Sequence, residues 1–172
     1  MAVAIEDSGW VCRDYIEWIY GSGFPKAQDI SKKLGEEWSG YKTPALKPAH
    51  EPIYIFQKPM IDEGEPNTID FEAPFFYCAK TGSKERSVGG QVKVTHPTLK
   101  PIKLLSYLLD LVTPPENYKK DFVILDPFNG SGSMGLACAK NDVNYIGIEK
   151  EEEYVKMSIE RLEAFKANGC KL

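Results

Sequence analysis

Apolar residues recur at three- and four-residue steps from Ile102 through Leu105 and Leu109 to Val112, which predicts a core-facing helix over 101–112. Pro101 suits its first turn, and Thr113-Pro114-Pro115 ends it. The run Phe122-Val-Ile-Leu125 is apolar throughout, the pattern of a strand buried on both faces. Small residues from Ser133 to Lys140 predict a closely packing helix, Asn144 to Glu149 a further strand, and Glu151 to Ala167 an amphipathic helix with acids in its first turn and Gly169 just past its end. Strand, helix, strand, helix in the last third means a parallel α/β sheet.

The first half is less regular. Ala2–Asp7 reads as a helix closed by Ser8-Gly9, Asp14–Tyr20 alternates as a strand does, and Glu51–Lys58 is a second strand. A short helix is expected over 27–38, and 39–48, with its Gly and Pro, should be irregular. Residues 59–74 are acidic and rich in turn formers.

Composition sets bounds on this picture. The 172 residues, 42% hydrophobic and 27% charged, suit a folded domain with a real core. No apolar run reaches the roughly 18 residues of a membrane span, and the N-terminus lacks a signal-peptide pattern. Cys12, Cys78, Cys138 and Cys170 are scattered without a Cys-x-x-Cys pair, which argues against zinc or a disulfide framework and for a reducing, cytoplasmic setting. Two histidines, His50 and His96, are too far apart for a metal motif. The net charge is −4, yet residues 80–103 carry six bases against the single acid Glu85. A basic segment on an acidic body is a candidate phosphate contact, with Lys80, Lys84, Arg86 and Lys93 as its members; a solvated loop has the same composition.

The candidate chemistry centres on "VILDPFNGSGSMGLA", residues 123–137. A strand feeds Asp126 and then Gly130-x-Gly132-x-x-Gly135, with Glu149 closing the next strand 23 residues after Asp126. A carboxylate placed like Glu149 can accept both ribose hydroxyls of an adenosine, in a dinucleotide or in a methyl donor. Asp126 separates the two. Facing a pyrophosphate at ~4 Å with an effective dielectric near 20, it would cost about 4 kcal/mol. S-adenosylmethionine has no phosphate and presents an ammonium and a sulfonium, for which the same carboxylate is an attractive partner.

Upstream lies His96-Pro97-Thr98-Leu99-Lys100-Pro101. This segment, followed about thirty residues later by Asp126-Pro127-Phe128-Asn129-Gly130-Ser131-Gly132, resembles the beta group of amino-methylating DNA methyltransferases of phage and bacteria. "WIYGSGFPK" (18–26), "ALKPAHEPIYIFQKP" (45–59), "FFYCAKTGSKER" (75–86) and "YIGIEKEEEYVKMSIERL" (145–162) extend the likeness over nearly the whole chain.

The resemblance implies an S-adenosylmethionine-dependent methyltransferase fold, α/β and Rossmann-like, in permuted order with the cofactor loop near the C-terminus and an incomplete sheet. It implies a single domain over 1–172. Residues 1–59 would hold central strands of the catalytic half, 60–95 the target-recognition region, and 96–172 the cofactor half. Asp126 would meet the ammonium or order the loop, Gly130 and Gly132 would allow close backbone approach, and Glu149 would hold the ribose. Thr98 and Lys100 would line the methionine end; His96, Pro101, Pro127, Asn129 and Ser131 would join them in binding the cofactor, with Phe128 as an apolar wall near the adenosine. The implied partner is double-stranded DNA, in restriction–modification, with adenine N6 favoured over cytosine N4 by the "YGSGFPK" type.

The family's catalytic Asp/Asn/Ser-Pro-Pro-Tyr/Phe motif does not occur in these residues. Thr113-Pro114-Pro115-Glu116-Asn117-Tyr118 lacks its spacing and reads as a linker. The expectation is a methyltransferase without its first several dozen residues, with no catalytic residue assignable. It would either act as an enzyme or serve as a cofactor- and DNA-binding fragment that self-associates or needs a complementing chain. A dinucleotide oxidoreductase is the third reading.

Overall fold

A computed structural model describes residues 1–24, 26–59 and 74–171. The acidic stretch 59–74, apart from its two ends, lies outside the described residues. The described residues divide into two compact units, one of residues 1–24, 26–59 and 74–79, the other of residues 80–171.

In the first unit, helix α1 (Ala2–Asp7) is followed by strand β1 (Val11–Ile19), which pairs antiparallel with β2 (His50–Gln57) and parallel with β3 (Phe75–Tyr77) in the order β2-β1-β3. β1 begins three residues before its expected start because a bulge between Cys12 and Asp14 lets Val11 and Cys12 pair with Gln57 and Phe56. Ile16, Trp18 and Tyr20 are buried on one face at period two, and the Trp18 indole donates to the Cys78 carbonyl at 2.8 Å. The helix expected over 27–38 shrinks to α2 (Ser31–Leu34) and a single 3-10 turn, Glu36–Trp38. Asp29 accepts the Ser31 amide and hydroxyl, which starts the helix late, and Gly35 at φ +113 breaks it.

The second unit holds α3 (Ser83–Arg86), α4 (Ile102–Val112), α5 (Glu116–Lys119), β4 (Val123–Asp126), α6 (Ser133–Lys140), β5 (Asn144–Gly147) and α7 (Glu152–Ala167). β4 and β5 run parallel, Val123 opposite Asn144 and Asp126 opposite Gly147. Ile102, Leu105 and Leu109 of α4 meet Leu136, Ala137 and Cys138 of α6, with Val88 and Phe165 closing the core. The Glu85 carboxylate accepts the Ile102 amide at 2.5 Å, capping α4 from a distant segment.

β4 departs from its expected burial. Val123 and Leu125 are 44% and 57% exposed, and Ile146 beside them 54%. Ile124 and Tyr145 pack against the core from the other face. Among the described residues this sheet has two strands with helices on one side, so alternate positions face outward. The fold is α/β with an incomplete sheet.

Candidate functional site

The turn after β4 is pinned to the end of β5. Ile148 N–H donates to the Asp126 carbonyl at 2.8 Å, and Asn129 N–H donates to the Ile148 carbonyl at 2.9 Å. These bonds continue the ladder past the strands and bring Glu149 beneath the glycine loop. Glu149 Oε2 accepts the Gly130 amide at 2.7 Å, while Oε1 accepts those of Lys150 and Glu151 at 2.9 and 3.0 Å. The Glu151 amide first, then that of Gly130, holds this carboxyl below its ordinary range. Asp126 Oδ1 accepts the Phe128 amide at 3.0 Å, so that carboxylate orders the turn.

Gly130 and Gly132 adopt φ +52 and +78, the left-handed region that side chains disfavour. A Cβ on Gly130 would stand 3.0 Å from His96 Nε2, and one on Gly132 2.8 Å from Ser158 Cβ. The loop therefore approaches the His96 segment on one side and α7 on the other.

His96 is wedged between Gly130 and Tyr154, its ring edge-on to that tyrosine with centroids 4.6 Å apart. Its Nδ1 accepts the Thr98 amide at 3.3 Å, which places the proton of the neutral ring on Nε2. Burial lowers the imidazole's pKa from its ordinary value, opposed by the nearby Glu149 charge. His96 is accordingly neutral at neutral pH.

These groups surround a cavity of about 390 Å³. His96, Thr98 and Lys100 form one wall; Asp126, Phe128, Asn129, Gly130 and Ser131 form the other, with Glu149 at the base. Two segments some thirty residues apart thus meet around one space. Phe128 is 86% exposed at the rim. Three residues expected at the site do not line it: Pro101 is buried at the start of α4, Pro127 sits in the turn, and Gly132 backs onto α7.

The structure also adds residues. Leu105, Ser133, Met134 and Tyr154 line the cavity. Arg161, 1% exposed, donates from Nη1 to the Ser131 carbonyl at 2.5 Å. Tyr154, Ser158, Arg161 and Phe165 follow four-, three- and four-residue steps, one stripe of α7. A charge falling in step with Phe165 was the signal for Arg161.

Of the basic segment, Lys80, Lys84 and Lys93 are exposed. Arg86 is half-buried and donates from Nη2 to the His96 carbonyl at 2.8 Å. Cys78 and Cys138 are both buried, and burial pushes the Cys138 thiol up to about 11.

A family model described as DNA methylase, for N6 and N4 methyltransferases, matches residues 1–160. The Type II methyltransferase M.HindIII of Haemophilus influenzae is 29% identical over 193 residues, 99% of this chain and 60% of its own length. M.XycI of Xanthomonas campestris pv. cyanopsidis is 29% identical over all of this chain and 51% of its own. Among solved structures, the M1.HpyAVI–SAM complex superposes with a TM-score of 0.60 at 26% identity, covering 94% of this chain and 67% of that one. The cytosine-N4-specific PvuII DNA methyltransferase reaches 0.62 at 19% identity over 98% of this chain and 59% of its own, a likeness of fold. This chain spans about half to two thirds of the length of these relatives.

Proposed function

This chain belongs to the DNA methylase family of N6 and N4 methyltransferases, and from that premise we propose that its cavity holds S-adenosylmethionine for methylation of an exocyclic base amine in DNA. The observation that carries the reading is the meeting of the His96–Lys100 segment with the Asp126–Ser131 turn over Glu149. Two carboxylates and a loop without side-chain bulk at Gly130 fit a ligand with an ammonium, ribose hydroxyls and no phosphate. When bound, the donor supplies an electrophilic methyl group on its sulfonium.

The chain's own residues bind and orient. Glu149 stays ionised and, with two lone pairs per oxygen and three amide bonds accepted, keeps one acceptor site, on Oε2, for a ribose hydroxyl. Asp126 orders the turn through one oxygen and offers its charge to the ammonium. Thr98 and Lys100 flank the methionine end, and Phe128 offers an apolar wall. Residues 60–95 serve target recognition, with Lys80, Lys84 and Lys93 toward DNA phosphate and Arg86 tied to the His96 segment. The target is adenine N6 in preference to cytosine N4, reached by flipping the base from the duplex. The setting is the cytoplasm; no helix among the described residues is long and apolar enough to cross a membrane.

In the family this chain belongs to, orienting the amine is the part played by the Asp-Pro-Pro-Tyr motif, which these 172 residues do not contain. A second reading, in which a complementing chain or a second copy joins the site, has its own support. Val123, Leu125, Ile146 and Ile148 present exposed aliphatic surface on a parallel strand pair, a structure normally covered on both faces.

Incubation with labelled donor and duplex DNA, followed by digestion to nucleosides, separates the readings. Label in N6-methyladenine is expected. Label in N4-methylcytosine would change the target base. Label appearing only when a polypeptide bearing the Asp-Pro-Pro-Tyr segment is added would establish the second reading, and no label in either case would overturn both.

A further inference from the structure

The two walls of the cavity are joined behind it by a pair of arginines. From α7, Arg161 donates through Nη1 to the Ser131 carbonyl at 2.5 Å and hydroxyl at 3.3 Å, and through Nε to the Arg86 carbonyl at 3.2 Å. Arg86 in turn donates through Nη2 to the His96 carbonyl at 2.8 Å. Glycine loop, α7, α3 and the His96 segment are thus connected by one run of charge-assisted hydrogen bonds. Neither arginine lines the cavity.

Burying a guanidinium is strongly unfavourable unless its donors are well satisfied. Among the described residues no carboxylate lies within ion-pair distance of Arg161; Glu85, the acid whose field supports it, is bound to the Ile102 amide. Burial draws the Arg161 pKa down to about 10, so it is still charged at neutral pH. Other buried positions of α7 are filled by Met157 and Phe165, so an apolar side chain would suffice for packing. A forked cation does what methionine cannot: it grips carbonyls of the glycine loop and of the end of α3 in fixed directions.

We infer that Arg161 and Arg86 are positioning residues that together set the separation of Ser131 from His96, and hence the width of the cavity between its two walls. The inference rests on the reading that this cavity holds the methyl donor, and its test has one arm that depends on that reading and one that does not.

The first arm is amide hydrogen exchange on the full chain, with no ligand, for wild type, Arg161→Met, Arg161→Lys and Arg86→Met. Arg161→Met should speed exchange by about tenfold in residues 129–132, where its bond to Ser131 is lost, and in 96–100 as well, because Arg86, which holds the His96 carbonyl, loses its own anchor. Arg86→Met should do so in 96–100 alone, and Arg161→Lys should fall between wild type and the methionine variant. A response of Arg161→Met confined to one segment would overturn the inference. If Arg161→Met does not fold, Arg86→Met at a half-buried position decides, and unchanged exchange in 96–100 overturns it.

The second arm is titration with S-adenosylhomocysteine at a temperature where each variant is folded. A packing role alone would lower the unfolding midpoint and leave the affinity of folded protein unchanged. Positioning predicts an affinity lowered about tenfold in Arg161→Met, partly recovered in Arg161→Lys, and non-additive in the double variant with Arg86→Met. Wild-type affinity retained within twofold by folded Arg161→Met would contradict the inference. Failure of wild type to bind would instead remove the donor assignment and leave the exchange arm to judge the arginine pair.

Discussion

Gly132 stands at φ +78 with room for a Cβ only 2.8 Å from Ser158 Cβ. Gly132→Ala therefore combines left-handed strain with a clash against α7, and about 3 kcal/mol of stability should be lost. Gly169, at φ +63 with nothing within 4 Å, carries the strain alone, and Gly169→Ala should cost about 1 kcal/mol. Urea midpoints of the two variants measure the difference; equal losses would show that the loop does not rest on α7. At this scale the sequence was legible where a motif names a residue type, as with Asp126, Glu149 and His96. It was less so where a side chain works sideways. Glu149 accepts backbone amides through both oxygens, and Asp126 orders the turn through one, because the ladder beyond β5 sets their distances. Arg161 was hidden because a charge on an amphipathic helix normally belongs to the solvated face.

The α4 helix shows how periodicity locates an element better than its ends. Ile102, Leu105 and Leu109 are buried as their spacing predicts, but Leu104 is 2% exposed and Val112 42%. The last turn finishes at Thr113, whose amide and hydroxyl both donate to the Leu109 carbonyl at 2.8 and 2.7 Å, and Val112 is left at the margin. Leu109→Ala should cost about 3 kcal/mol as a core cavity, against about 0.5 kcal/mol or less for Val112→Ala. Thermal unfolding checks this, and comparable losses would place Val112 in the core. The expected helix over 27–38 fell to local chemistry that the apolar pattern does not register: the Asp29 carboxylate competing for Ser31, and the conformation of Gly35. In β4 the apolar run marked a strand correctly, while the expected burial assumed cover on both faces that the described residues provide on one.

For the chain as a whole, the order of segments was the most legible feature. His96-Pro-Thr before a strand, glycine turn and helix, then Glu149 closing the next strand, predicted a parallel pair, and the fold has it. The acidic, turn-forming stretch 59–74 lies beside one boundary between the two compact units, after Pro59, whereas the return of Phe75–Tyr77 to the first unit's sheet was not legible. Nor was the outward aliphatic face of β4 and β5, because the sequence does not state how many strands flank a pair. What the cavity of the second unit accepts decides the function of the chain. Calorimetric titration of the purified protein with S-adenosylhomocysteine, beside NAD and beside Asp126→Ala, tests it most directly. Saturable 1:1 binding of S-adenosylhomocysteine, weakened about tenfold by Asp126→Ala as a lost charge-assisted contact implies, with no heat from NAD, is the predicted result. Binding of NAD in its place, or S-adenosylhomocysteine affinity untouched by Asp126→Ala in folded protein, would contradict it.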